Sequence, residues 1–182
     1  MRVSLHHPAS MLSVLTGVAL LASAGAVSGR DDGDAKASLK GYMEVPAISS
    51  TATGRFRARI DEKAQTIHYE LSYSGLESDV RQAHIHLGQK SVNGGIMVFL
   101  CQTTFNKDPT GLAPTCPQEG SVSGTLQAQN LTALATAQGI DPTEQTAFDE
   151  MVAAIRAGVA YANVHTANHT GGEIRGQLLE DD

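Results

Sequence analysis

Four side chains stand out in this 182-residue chain as capable of chemistry: His84, His86, His165 and Glu173. His84 and His86 alternate with the apolar Ala83, Ile85 and Leu87. In a strand, residues two apart share a face, so both imidazoles project opposite the apolar side. His165 closes a second alternating run, with Tyr161 and Asn163 on its side and Ala160, Ala162 and Val164 on the other. If the two strands are neighbours, three imidazoles converge, and such a set with an open position suits copper or zinc. The same residues can instead form a hydrogen-bonded polar network of His84, His86, Tyr161, Asn163, His165, Glu173 and Arg175. In that network Glu173 and Arg175 share a face and are expected to pair with each other or with adjoining strands. His169 falls in a turn and is expected to be exposed rather than a ligand. No Gly-x-Ser-x-Gly elbow, His-Glu-x-x-His pair or phosphate-binding loop is present, so no catalytic residue is assigned.

The elements that must position these groups are mostly strands. Phe56, Ala58 and Ile60 alternate with Arg55, Arg57 and Arg59. Ile67, Tyr69, Leu71 and Tyr73 alternate with His68, Glu70 and Ser72, and residues 61–64 make a short polar link, predicting a hairpin. Its three arginines form an outward stripe, expected to be a solvated face paired with Glu70, with an anion site as the alternative. The run 96–100 is continuously apolar, as a strand buried on both faces would be, and 121–128 reads as another strand. Residues 131–140 are ambiguous. One helix is predicted over about 142–157. Asp141 would cap it, Pro142 would open it and Glu144 would complete a capping box. Phe148, Met151, Val152 and Ile155 fall on one face, and Gly158 ends it. Val159–Thr166 and residues 173–178 make a final hairpin around a Gly-rich turn. About eight strands and one amphipathic helix predict a mainly β protein, an antiparallel Greek-key-like β-sandwich with one packed helix.

The chain ends carry other information. Residues 1–29 read as a secretory signal peptide: a positive start at Arg2, an uncharged apolar stretch over 11–21, then small residues. The stretch is short for a spanning helix, and no later segment is apolar enough for one. Residues 30–36 read as a flexible lead-in, 37–179 as one domain and 180–182 as an acidic tail. Cys101 and Cys116, the only cysteines, are expected to form one disulfide in an exported protein. The alternative is a thiolate metal or redox site. Asn130 and Asn168 begin glycosylation sequons, which matter only in a eukaryotic source. The net charge of −6 argues against a phosphate backbone as partner, and 4% aromatics without Trp against a stacking platform for single strands.

Three stretches together resemble the CHRD domain, the domain found in chordin and in exported bacterial proteins. They are Glu44-Val45-Pro46 with Gly54; residues 83–88 with Asn93-Gly94-Gly95; and residues 158–166 followed by residues 172–178. The resemblance runs from about Leu39 to Leu179. Tyr161-Ala162-Asn163 departs from the family's usual Tyr-Val-Asn, and the cysteine-stapled loop is not a family constant. The resemblance implies an extracytoplasmic β-rich domain and no particular reaction. The expected function is a non-enzymatic binding or structural module of the cell envelope or extracellular space, with a transition metal at His84, His86 and His165. Two alternatives stand beside it: a mononuclear copper redox enzyme, and a protein-binding module by analogy with chordin. The first rests on the likeness of the His-x-His strand to the copper-binding strand of copper–zinc superoxide dismutase. Only five histidines follow the signal segment, too few for that enzyme's dinuclear site.

Overall fold

The computed structural model describes Met1 and residues 33–180. The signal-segment reading of 1–29, residues 30–32 and the end of the acidic tail lie outside the described residues. Among the described residues nine strands form: β1 (Gly33–Lys40), β2 (Thr53–Asp61), β3 (Thr66–Ser74), β4 (Val80–Leu87), β5 (Gly95–Cys101), β6 (Gly120–Leu126), β7 (Ala160–Thr166), β8 (Ile174–Gln177) and β9 (Leu179–Glu180). They join in one antiparallel sheet of order β5-β4-β7-β8-β1-β2-β3-β6, with β9 pairing β1. The antiparallel, mainly β architecture with one packed helix is as expected. Its two layers belong to one continuous sheet that nearly closes on itself.

Period two writes the inside and the outside of this sheet. Ala35, Ala37, Leu39, Phe56, Ala58, Ile60, Ile67, Tyr69, Leu71, Ala83 and Ile85 enter one apolar core. Across the gap, the Tyr69 hydroxyl donates to the Leu100 carbonyl at 2.6 Å and the Tyr73 hydroxyl to the Pro117 carbonyl at 2.6 Å. These buried phenols thus keep a polar partner while their rings fill the core. The outer edge of β5 is covered rather than left open: Thr132 donates from its amide to Met97 O and from its hydroxyl to Ile96 O.

Two expectations about boundaries are corrected. Gly33–Lys36, read as lead-in, is the first half of β1, in register with Ile60 back to Arg57. Its inward residues begin with Ala35 and Ala37, so the alternation carries little hydrophobic contrast before Leu39. The helix α1 spans Ala147–Arg156, not 142–157. Asp141 Oδ1 instead accepts from the amide and hydroxyl of Thr143, which fixes a turn before the helix. Thr146 is the residue that precedes α1, and Glu144 closes no capping box. The predicted apolar face does hold: Phe148, Met151, Val152 and Ile155 are all in the core. The ambiguous segment contains a 3₁₀ helix, Ala133–Gln138. Among the described residues no helix is long and apolar enough to cross a membrane.

Cys101 and Cys116 are joined in a disulfide. It ties the end of β5 to the chain leading into β6. Inside the loop, Asp108 accepts from the amides of Thr110, Leu112 and Ala113, so the loop has its own hydrogen-bonded frame. Closing a loop of this length is worth about 3 kcal/mol in the chain-entropy view. The double variant Cys101→Ser/Cys116→Ser should therefore lose about 3 kcal/mol in urea unfolding. A loss below about 1 kcal/mol would show that the loop's own hydrogen bonds suffice.

Candidate metal centre

The strands that carry the three histidines are neighbours: β4 pairs with β7, setting His84 opposite Asn163 and His86 opposite Tyr161. Because His84, His86 and His165 take the non-core face, they stand outside the sheet. They are nonetheless 0%, 7% and 6% exposed. Loops fold back over this face, and a second, polar layer is buried there.

The loops also set the protonation of the rings. A backbone carbonyl can only accept, so His86 Nδ1–H donates to Gly94 O at 2.9 Å and His165 Nδ1–H donates to Thr170 O at 2.9 Å. Each neutral ring then carries its lone pair on Nε2. His84 Nδ1 and His165 Nε2 stand 3.2 Å apart, so His84 must donate there, leaving its own lone pair on Nε2. His84 Nε2 and His86 Nε2 are buried without a hydrogen-bond partner. Each such buried acceptor costs about 1–3 kcal/mol. Burial lowers all three ring pKa values, His84 well below the usual imidazole value and His86 to about 4. The rings are neutral at pH 7, the form that binds metal.

One potential ligand nitrogen from each histidine lies within 4.8 Å of the other two. Two imidazole nitrogens on one tetrahedral ion at ordinary bond lengths stand about 3.3 Å apart. An ion seated beside His84 Nε2 and His86 Nε2 would draw His165 Nε2 away from the hydrogen bond it accepts from His84 Nδ1, 3.2 Å away. Carbonyl acceptors behind Nδ1 are the usual second layer of a histidine metal site, where they fix tautomer and ring orientation. Phe99 packs edge-on against His84 with centroids 4.2 Å apart, closing one side.

Arg175 holds the cover in place. Its guanidinium carbon lies 3.3 Å from the centroid of Tyr161, and the other face of Tyr161 stacks on His86 at 4.7 Å. Arg175 also donates to Asn93 Oδ1, Gln89 O and Val92 O, the loop that presents Gly94. Gly94 has no room for a side chain, since a Cβ there would sit 1.6 Å from Leu87 O. The expected pairing of Glu173 with Arg175 is not formed. Glu173 instead accepts from Ser50 Oγ, the Glu77 amide and Thr166 Oγ1, anchoring other loops. Asn163 donates to Glu44 Oε1 at 2.5 Å. Burial pushes the Glu44 carboxyl up to about 7, with Arg175 and Asn163 pulling it back. Glu44 belongs to this layer, and nothing in its spacing from the histidines marked it. His169, expected exposed, is half-buried and contacts Glu77 Oε2 at 2.8 Å. His68, on β3, contacts Thr125 away from the cluster. Asn130 is buried and its Oδ1 accepts from the Gln127 amide, so that sequon is not presented for modification.

The family model described as the CHRD domain matches residues 35–178, which include every residue of this layer. No curated protein matches the chain.

Two outcomes follow from this geometry. The histidines are depressed on folding, so their contribution is present above about pH 6.5 and is lost as pH falls through the folded values. His86 alone accounts for a loss on the order of 3 kcal/mol between about pH 6.5 and 4. Glu44 is raised, so its contribution is full below its ordinary value of 4.5 and is lost as pH rises to about 7. Three imidazoles outweigh one carboxyl, and the urea midpoint should fall from pH 7 to pH 5. That fall should be larger in Glu44→Gln and smaller in His86→Asn; equal falls in all three would overturn the assignment. Arg175→Lys keeps the charge but loses the planar fork and the stacking, and should cost about 2–4 kcal/mol in urea unfolding. A loss under about 1 kcal/mol would remove Arg175 from its role as anchor.

Proposed function

The chain belongs to the CHRD domain family, and on that premise we propose that it is an extracytoplasmic binding module that holds one copper or zinc ion at His84, His86 and His165. The observation that carries the reading is the pair of buried, unpartnered Nε2 atoms beside rings whose Nδ1 atoms are already fixed by carbonyls. An ion in that position would satisfy both orphaned lone pairs and meet neutral ligands. The donor set is imidazole alone, which suits copper and zinc and not calcium or magnesium. The Cys101–Cys116 disulfide fits an oxidising compartment, in keeping with the leader read at residues 1–29. Burial of the trio, with Phe99 against His84, favours holding an ion over turning over a substrate on it.

The test is metal content of the mature protein purified without a histidine tag, followed by titration with copper(II) and zinc. About one ion per chain is expected. His84→Ala, His86→Ala and His165→Ala should each weaken binding by about a hundredfold or more, as loss of one ligand in three does. The bound ion should also raise the melting temperature through mass action. No uptake by folded, disulfide-bonded protein would make the trio a structural network.

A further inference from the structure

A second site lies on the same outer face, away from the histidines. A groove of about 770 Å³ runs over β1 and β2 toward the loop after β4 and the end of β8. Five cationic side chains line it: Lys36, Arg55, Arg57, Lys90 and Arg175. Among the described residues, no carboxylate lines it. This concentration occurs in a chain whose 19 acidic residues outnumber its 13 basic ones.

The register sharpens the point. Lys36 lies directly opposite Arg57 across β1 and β2, so the strand pairing sets two of the groove's cations side by side. Glu70 faces Arg57 from β3, but no ion pair joins them among the described residues, and Glu70 is not part of the lining. The exposed arginine stripe is as expected, and Glu70 stands opposite Arg57 in register rather than in an ion pair with it. At the inner end, Arg175 is 2% exposed, and its hydrogen bonds go to two carbonyls and an amide oxygen rather than to a carboxylate. The groove is not uniformly polar. Met43 and Leu179, large apolar residues left exposed, also line it. Its volume is that of a small-molecule site.

We propose that this groove binds an amphipathic organic anion, its phosphate, sulfonate or carboxylate head between Arg55, Arg57 and Lys90 and its apolar body against Met43 and Leu179. Arginine recognises such heads through paired, charge-assisted hydrogen bonds. The head group reaches the groove either on a free molecule or on a lipid at a membrane surface, and the two are separable.

The probe is decyl phosphate below its micelle concentration, titrated calorimetrically into the mature protein, with inorganic phosphate and decyltrimethylammonium as comparisons. Saturable one-to-one binding is expected, about tenfold or more tighter than inorganic phosphate because the alkyl chain is buried. The cationic amphiphile should not compete, and added salt should weaken the complex. Arg55→Ala and Arg57→Ala, both at exposed positions, should each lower affinity about tenfold with an unchanged melting temperature. Co-sedimentation with phosphatidylglycerol vesicles that requires the same arginines would support the site and identify its source as a lipid. Binding of neither decyl phosphate nor vesicles, or binding indifferent to both arginines, would overturn the proposal.

Discussion

A cation buried outside the apolar core is the constraint on which the functional face depends. Arg175 is removed from water and forms no ion pair among the described residues, and such a charge is tolerable only when hydrogen bonds and polarisable surroundings replace its hydration. Here the replacement is the Tyr161 ring on one face and three oxygens of residues 89–93 around the fork. The requirement runs both ways. The loop is held down because the guanidinium needs its carbonyls, and Tyr161 is held flat because the guanidinium needs its π-face. His86 inherits its position from both, stacked on Tyr161 and bonded to the carbonyl of Gly94.

The molecule therefore has two interiors. Inside the curled sheet lies an apolar core of alternating strand residues and one face of α1. Outside it, under the returning loops, lies a layer in which nearly every group is polar and each has a specific partner. Glu173 gathers Ser50, Glu77 and Thr166, while Glu44 takes Asn163. The glycines that let the loops descend are part of this economy of space: a Cβ at Gly172 would meet both Asn163 Nδ2 and Glu44 Oε1 at 2.6 Å, in a backbone with φ of 126°. The imbalance that remains is confined to two nitrogen atoms, His84 Nε2 and His86 Nε2. In a layer so fully paired elsewhere, that local deficit is the observation on which the proposed ligand site rests.

Burial keeps the histidines neutral, and neutrality makes them both a liability in acid and competent ligands at pH 7. The same desolvation acts on Glu44 with the opposite sign. The cationic groove at the other end of the face obeys a different rule. Arg55 and Arg57 are exposed there, so their charge faces solvent, whereas Arg175 at its inner end is spent on the fold.

Much of this was legible from residue order alone. Period two placed His84 with His86 and His165 with Tyr161 and Asn163 on non-core faces, because strand geometry alternates side chains whatever the partner strand. Spacing also gave the buried face of α1, and two lone cysteines gave the disulfide. What stayed hidden depended on weak local signals or on distance along the chain. β1 was obscured because its inward positions begin with Ala35 and Ala37, and the helix start because Asp141 serves a turn equally well. Only the tertiary structure decided that β4 and β7 are neighbours, that Glu173 turns to Thr166 rather than Arg175, and that Glu44 closes on Asn163 from 119 residues away. Strand order and loop return are set by the summed burial of the whole chain, and no local pattern encodes them. The sequence by itself determined which side chains share a face; the fold determined which faces meet.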